Sequence, residues 1–294
     1  MSFAGHRRVP DPTTVFALPT ALHELLRLAS RDFDRSRRDR IVVLAASDEP
    51  VSRTFGSNRT VRLELAARLR TFFSSVLYEA ADTAVEGVRA MPIGLCEPYL
   101  SRGVASNASA AIGAAGLERK ASVALAAWNA YWSLHNPSRR EAGRFVRTRT
   151  ARRLGVDVAV IERRAWWGEL SKYRFLLIPT GSRIQCVKMV EALLVLTIPV
   201  VHRGWYRWGL DDEGARIVYA VQSASRADGV YAAHDDLVSL GFPIVVLDHW
   251  AEVTRANLTR WWLELAPRLV SFRRNCLTAE GYWRIATGRL KRCE

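Results

Sequence analysis

The chain lacks any pair of cysteines at C-x-x-C spacing. Its four cysteines, Cys96, Cys186, Cys276 and Cys293, are spread over 294 residues. That spacing argues against a zinc site, and leaves open two disulfides or four buried thiols. The opening "MSFAGHRRVPDPTT" lacks an apolar stretch, so no signal peptide is read there. No run reaches the roughly 18–20 apolar residues that cross a bilayer; the longest, "MVEALLVLTIPVV", contains Glu191 and Pro199. Internal repeats and long low-complexity tracts are also missing. Negative charge is scarce, with 29 Asp+Glu against 43 Lys+Arg. A soluble chain without a membrane span, or a piece that has lost its anchor, is the expectation.

What is present is ample apolar material and a positive field. The 49% apolar fraction is enough for a core, and the net charge is +14, mostly from arginine. Such a field attracts phosphates, acidic sugars, nucleic acid or anionic membrane; it is also compatible with a merely solvated basic surface. No RNP-like, zinc-finger or helix-turn-helix pattern accompanies the charge, so a nucleic-acid partner is not expected.

Along the chain, short apolar runs alternate with helical patterns. Residues 1–20, rich in Pro and Thr, read as loose. Residues 20–33 have apolar positions at helical spacing. The run "IVVLAAS" (41–47) reads as a strand buried on both faces. Residues 60–81 read as one or two helices, 88–95 as a short strand, and 102–116 as a small-residue loop. "KASVALAAW" (120–128) is a second buried strand, followed by a basic helix over 136–155 and a strand at 156–162. Residues 202–229 read as aromatic, charged and irregular. "FPIVVLDHW" (242–250) is a strand, and the remainder is helical. Strands alternating with helices imply an α/β fold with parallel sheets. A boundary is placed in the small-residue loop, giving domains 1–117 and 118–294.

Chemistry concentrates in "YRFLLIPTGSRIQCVKMVEALLVLTIPVV", residues 173–201. A strand runs into a Gly181-Ser182-Arg183 loop, then an apolar helix, then another strand. Ligands of parallel α/β sheets bind at the carboxyl ends of strands. Free N–H groups at a helix start hold phosphate, and Gly181 permits close approach. Arg183 adds a charged donor. Lys188 and Glu191 stand three apart and share a helix face. One cation and one carboxylate there suit a nucleotide-sugar, the first for its diphosphate and the second for ribose hydroxyls. An ordinary surface pair fits the same spacing.

Other candidates surround this stretch. Arg139 and Arg140 follow the first strand of the second domain, where they meet phosphates or simply solvent. His202 follows the strand ending Pro199-Val200-Val201, where it contacts a base, moves a proton or is structural. Trp205 and Trp208 offer faces on which sugars stack, while Trp261 and Trp262 read as core.

Pro179, Gly181, Lys188, Glu191-Ala192-Leu193, Ile198-Pro199-Val200-Val201 and the strand ending Asp248-His249-Trp250 together resemble the donor region of exostosin-like glycosyltransferases. The resemblance extends loosely over residues 40–290 and is specific mainly over 170–275. It implies two Rossmann-like lobes of the B type (GT-B) facing a cleft. The C-terminal lobe would hold a nucleotide-sugar, a UDP-sugar in particular, and the N-terminal lobe a glycan or glycoprotein acceptor. It implies inverting transfer with no cofactor and no bound metal, and a Golgi or secretory location. Inversion requires a base for the acceptor hydroxyl; Asp48, after the first strand, is the candidate, with Glu49 beside it. The sequence also departs from the family pattern. Ile178 replaces the serine before Pro179, Lys188 replaces an arginine and loses its fork, and Leu196-Thr197 replaces a glycine. These departures suit a second reading, a non-catalytic member that binds glycan or a partner enzyme.

Overall fold

Uninterrupted β-branched and leucine runs form parallel strands, because only a sheet covered on both faces hides side chains on both sides of a strand. The computed structural model describes residues 11–47, 49–56, 58–95, 100, 103–128, 137–180, 184–202, 205–210, 216–221 and 233–293. Side chains at 137, 205–210, 216–221 and 233 lie outside that description. The fold is α/β with two parallel sheets. The chain divides into two compact units, Met1–Met91 and Pro92–Glu294.

The first unit contains β1 (Thr14–Ala17), α1 (Leu22–Asp32), β2 (Ile41–Leu44), α2 (Val51–Thr54), α3 (Arg59–Arg70), β3 (Ser75–Tyr78) and β4 (Val88–Ala90). Its sheet runs in chain order, β1-β2-β3-β4, with Val42 paired to Val15 and Val76. Helix α1 buries Leu22, Leu25, Leu26 and Ala29, one stripe at helical spacing. Helix α3 starts where the Asn58 side chain accepts the Thr60 N–H, and buries Leu65, Ala66 and Leu69.

The second unit contains α4 (Val104–Ala114), β5 (Ser122–Ala126), α5 (Pro137–Val146), α6 (Arg149–Arg153), β6 (Val156–Val158), α7 (Trp166–Leu170), β7 (Tyr173–Ile178), α8 (Val187–Leu194) and β8 (Ile198–His202). A hairpin, β9 (Trp205–Leu210) and β10 (Arg216–Val221), follows. The unit closes with α9 (Ala233–Ser239), β11 (Val245–Leu247), α10 (Arg255–Cys276) and α11 (Ala279–Ala286). The sheet order is β11-β8-β7-β5-β6, all parallel. Counted in chain order this is the doubly wound arrangement 2-1-3-4-5. Its core includes Leu125, Trp167, Phe175, Leu193, Phe242 and Phe272.

Four local expectations change. Residues 14–17, read as loose, pair with β2 as an edge strand. The helical reading of 60–81 ends at Arg70, and Ser75–Tyr78 is a strand, since its apolar run sits between β2 and β4. The small-residue stretch 102–116, read as a loop, contains α4 (Val104–Ala114), an alanine-rich helix with few buried positions, packed against α7. Residues 205–210 and 216–221 pair as a regular hairpin. The compact units divide at 91/92, whereas the expected boundary was 117/118, because α4 packs with elements of the second unit. The basic helix expected over 136–155 is broken at Thr148, whose hydroxyl caps α6 through the Ala151 N–H at 3.1 Å.

Candidate functional site

Strands β5 and β7 lie side by side, yet their connections leave in opposite directions. β5 leads through α5 to β6, and β7 leads through α8 to β8. Open α/β sheets bind ligands in the crevice beyond the carboxyl ends at such a divergence. Here that edge is formed by Ala127 after β5, Pro179 and Thr180 after β7, and His202 at the end of β8.

Helix α8 brings Lys188 and Glu191 to this edge. The Lys188 Nζ donates to the Ala127 carbonyl at 2.5 Å. The Glu191 Oε2 accepts the indole N–H of Trp166 at 2.8 Å. The same indole offers its ring face to Lys188, with Nζ 4.6 Å from the ring centroid. Trp166 thus connects the two charges. Glu191 is only 4% exposed. Burial pushes its carboxyl up, against the pull of the Trp166 bond and the Lys188 charge. Burial pulls the Lys188 ammonium down, Cys186 and Glu191 oppose that pull, and Arg139 adds to it. Cys186, the residue before α8, has its thiol raised by burial.

Helix α5 runs along the same edge and touches it at successive turns. The Ser138 hydroxyl accepts the Thr180 N–H at 3.0 Å, fixing the end of β7. Arg139, one residue on, bears electrostatically on Lys188 and Cys186. The Glu141 Oε2 is 3.9 Å from the His202 Nε2. Phe145 stacks on Trp250 at 6.2 Å, and Trp250 stacks on His202 at 5.7 Å. The His202 Nε2 lies 2.9 Å from the Asp248 carbonyl. A carbonyl only accepts, so this geometry assigns the proton to Nε2.

Lys188, Glu191 and Arg139 therefore share one neighbourhood, and His202 stands on the next strand of the same edge. Arg140 is exposed on α5. Gly181, Ser182, Arg183 and Asp48 lie outside the described residues. Trp205 and Trp208 belong to the hairpin, but their side chains are outside the description. Trp261 is buried and Trp262 meets Phe175 edge-on at 6.1 Å, as core packing requires. Trp166 is in the sequence one of several tryptophans without an assigned role, and Glu141 carries no signal there. Trp166 precedes Glu191 by 25 positions, a separation that leaves no local signal.

The first unit carries a polar group at the carboxyl edge of β2 and β3. Ala46, at φ 61°, directs its N–H to the Glu79 Oε2 at 2.8 Å. The Glu49 carboxylate meets the Arg53 Nε at 3.1 Å. The Asp82 carboxylate accepts the Ser52 N–H at 2.9 Å and its hydroxyl as well, and burial pushes its carboxyl up. Asp82 follows β3 as Asp48 follows β2. In the sequence the helical pattern over 60–81 hides that parallel. Among the described residues, no group of three or more His, Cys, Asp or Glu side chains is placed to hold a metal ion, and no helix is long and apolar enough to cross a membrane.

The chain matches no protein-family model, and no curated protein matches it.

Proposed function

We propose that the second unit binds a nucleotide-sugar at the carboxyl edge of β5 and β7, and that the chain is a glycosyltransferase of the two-lobed B type. One observation carries the reading: Lys188 and Glu191 meet around Trp166 at the point where the connections of the sheet diverge. Lys188 and Arg139 supply positive charge for a diphosphate. The Glu191 Oε2 accepts the Trp166 N–H, and Oε1 is the acceptor this reading assigns to a ribose hydroxyl. Gly181, Ser182 and Arg183 would add phosphate contacts, and uridine diphosphate is the carrier the motif resemblance implies.

In the transfer, an acceptor hydroxyl attacks the anomeric carbon and the bond to the diphosphate breaks. The hydroxyl proton passes to a base, for which Asp48 is the candidate. Negative charge grows on the leaving diphosphate, where Lys188 and Arg139 stabilise it. The Cys276–Cys293 disulfide suits an oxidising compartment such as the Golgi lumen.

Calorimetry with uridine diphosphate tests the donor site, with Glu191→Gln beside wild type. Glutamine preserves volume and still accepts the Trp166 N–H, so the fold is kept while the charge is lost. The expected result is binding by wild type, weakened about tenfold or more in the variant. Equal affinities would remove Glu191 from the site.

A second reading is a glycan- or partner-binding protein without activity. It is favoured by the fact that Lys188 and Glu191 are already bonded inside the chain, to Ala127 and Trp166. Absence of uridine diphosphate binding by folded wild type would select it.

A further inference from the structure

The edge strand β6 and the loop after it present aliphatic residues to water between clusters of arginine. Val158 is 62% exposed and Val160 is 93% exposed. The Ala159 N–H still donates to the Ala126 carbonyl at 3.1 Å, so extended pairing continues past Val158. Alternate residues of an extended chain share a side, which puts Val158 and Val160 together. Arg149, Arg152 and Arg153 precede them on α6, and Arg163 and Arg164 follow; all five are exposed. Glycine 155, at φ +77°, makes the turn that takes the chain from α6 into β6. On α10, Arg255 reaches the same place, its guanidinium 3.4 Å from the Arg153 carbonyl. Acidic residues in this stretch are few: Asp157, engaged by the Tyr173 hydroxyl at 3.0 Å, and Glu162.

We propose that this face docks on an anionic membrane surface, with Val158 and Val160 entering the headgroup–acyl boundary and the arginines pairing with lipid phosphates and carboxylates. Two features of the site combine here. Aliphatic side chains exposed to this degree recover free energy only by leaving water. Arginines on either side hold an interfacial element against negative headgroups, each adding to the attraction within a Debye length. A nucleic-acid surface would use the arginines but would gain nothing from two valines, and single strands are held on aromatic platforms that this loop lacks. The docking is peripheral and needs no spanning helix. It is independent of nucleotide binding at the β5–β7 edge.

The test is sedimentation of the full-length protein with vesicles, either phosphatidylcholine alone or mixed with phosphatidylserine, at physiological salt. Wild type is expected to sediment with the mixed vesicles and to stay in solution with the neutral ones. Val160→Asp, at a position exposed enough to leave the fold unchanged, is expected to weaken partitioning about tenfold. Arg152→Ala and Arg153→Ala are each expected to weaken it about fivefold. A Val160→Trp reporter is expected to shift its emission to the blue on the mixed vesicles, as entry into the boundary requires. Wild type remaining in solution, Val160→Asp partitioning like wild type, or an unshifted reporter would each overturn the proposal. So would duplex DNA that competes the protein off the vesicles while Val160→Asp binds that DNA as wild type does; the face would then belong to nucleic acid.

Discussion

Lys120 is 4% exposed, and its Nζ stands within hydrogen-bond distance of three oxygens. They are the Ser171 carbonyl at 2.8 Å, the Val195 carbonyl at 2.6 Å and the Thr197 hydroxyl at 2.8 Å. One side chain thereby ties the segments that enter β5, β7 and β8, at the sheet edge opposite the candidate site. Burial first, and Arg273 second, draw its pKa from 10.5 down to about 7. The unfolded chain therefore holds this proton more tightly than the folded one. Stability from this group is full above the unfolded value and is lost as pH falls through about 7. Urea midpoints for wild type should accordingly climb from about pH 6.5 to about pH 9. Lys120→Met should lose that slope. It should also be about 2–3 kcal/mol less stable at pH 9, because the buried Val195 carbonyl and the part-buried Ser171 carbonyl lose their donor. A variant whose midpoint follows the wild-type curve would separate Lys120 from this pH dependence.

At the scale of elements, the last two helices are fastened to the sheet rather than merely appended. Cys276, at the end of α10, is bonded to Cys293, with a sequence separation of 17 and both residues buried. The Cys293 N–H donates to the Leu240 carbonyl at 2.9 Å. Gly241, at φ +94°, passes so close that a Cβ there would meet the Cys293 carbonyl. Arg268 holds the Gly241 carbonyl from α10 at 2.7 Å. Closing a loop of this length restricts the unfolded chain by about 3 kcal/mol. Cys276→Ser with Cys293→Ser should lower the melting temperature by roughly 6–12 °C. Reducing agent should do the same to wild type and nothing further to the double variant. Farther along α10, one Arg273 guanidinium nitrogen donates to the Ile112 carbonyl of α4 at 2.9 Å and the Leu194 carbonyl of α8 at 3.2 Å. Both acceptors lie in the last turns of their helices, where carbonyls lack intrahelical partners. The helix that carries Lys188 and Glu191 is therefore held at its far end as well.

At the scale of the whole molecule, each compact unit has its own parallel sheet. The large core cluster runs from Ile93 to Cys293 and draws on the second unit alone. A fragment of residues 92–294 should therefore fold by itself. Circular dichroism should show an α/β spectrum with one cooperative thermal transition, and the fragment should retain the uridine diphosphate affinity of the full chain. A fragment without a cooperative transition would mean that the core depends on the first unit. The net charge of +14 acts over the entire surface. It favours anionic ligands and surfaces of every kind, so the arrangement of neighbouring groups must provide the discrimination.

The sequence by itself determined the class of fold. "IVVL" is wholly apolar, "SVALA", "YRFLLI" and "IPVVH" are apolar but for Ser122, Arg174 and His202, and each became a parallel strand. It also put Lys188 and Glu191 on one helical face, because i, i+3 spacing is a local property of the backbone. Short or weakly patterned elements escaped it. The four residues of β1 and the four of β3 are strands by virtue of their neighbours, and α4 buries too little to show a period. Only the tertiary structure decided the rest. Strand order set β5 against β7, Trp166 came from another helix to stand between Lys188 and Glu191, and Cys276 was paired with Cys293 rather than with Cys186. These are contacts between residues far apart in the chain, set by which apolar faces bury one another, and that information lies in the packing of the whole rather than in any local spacing.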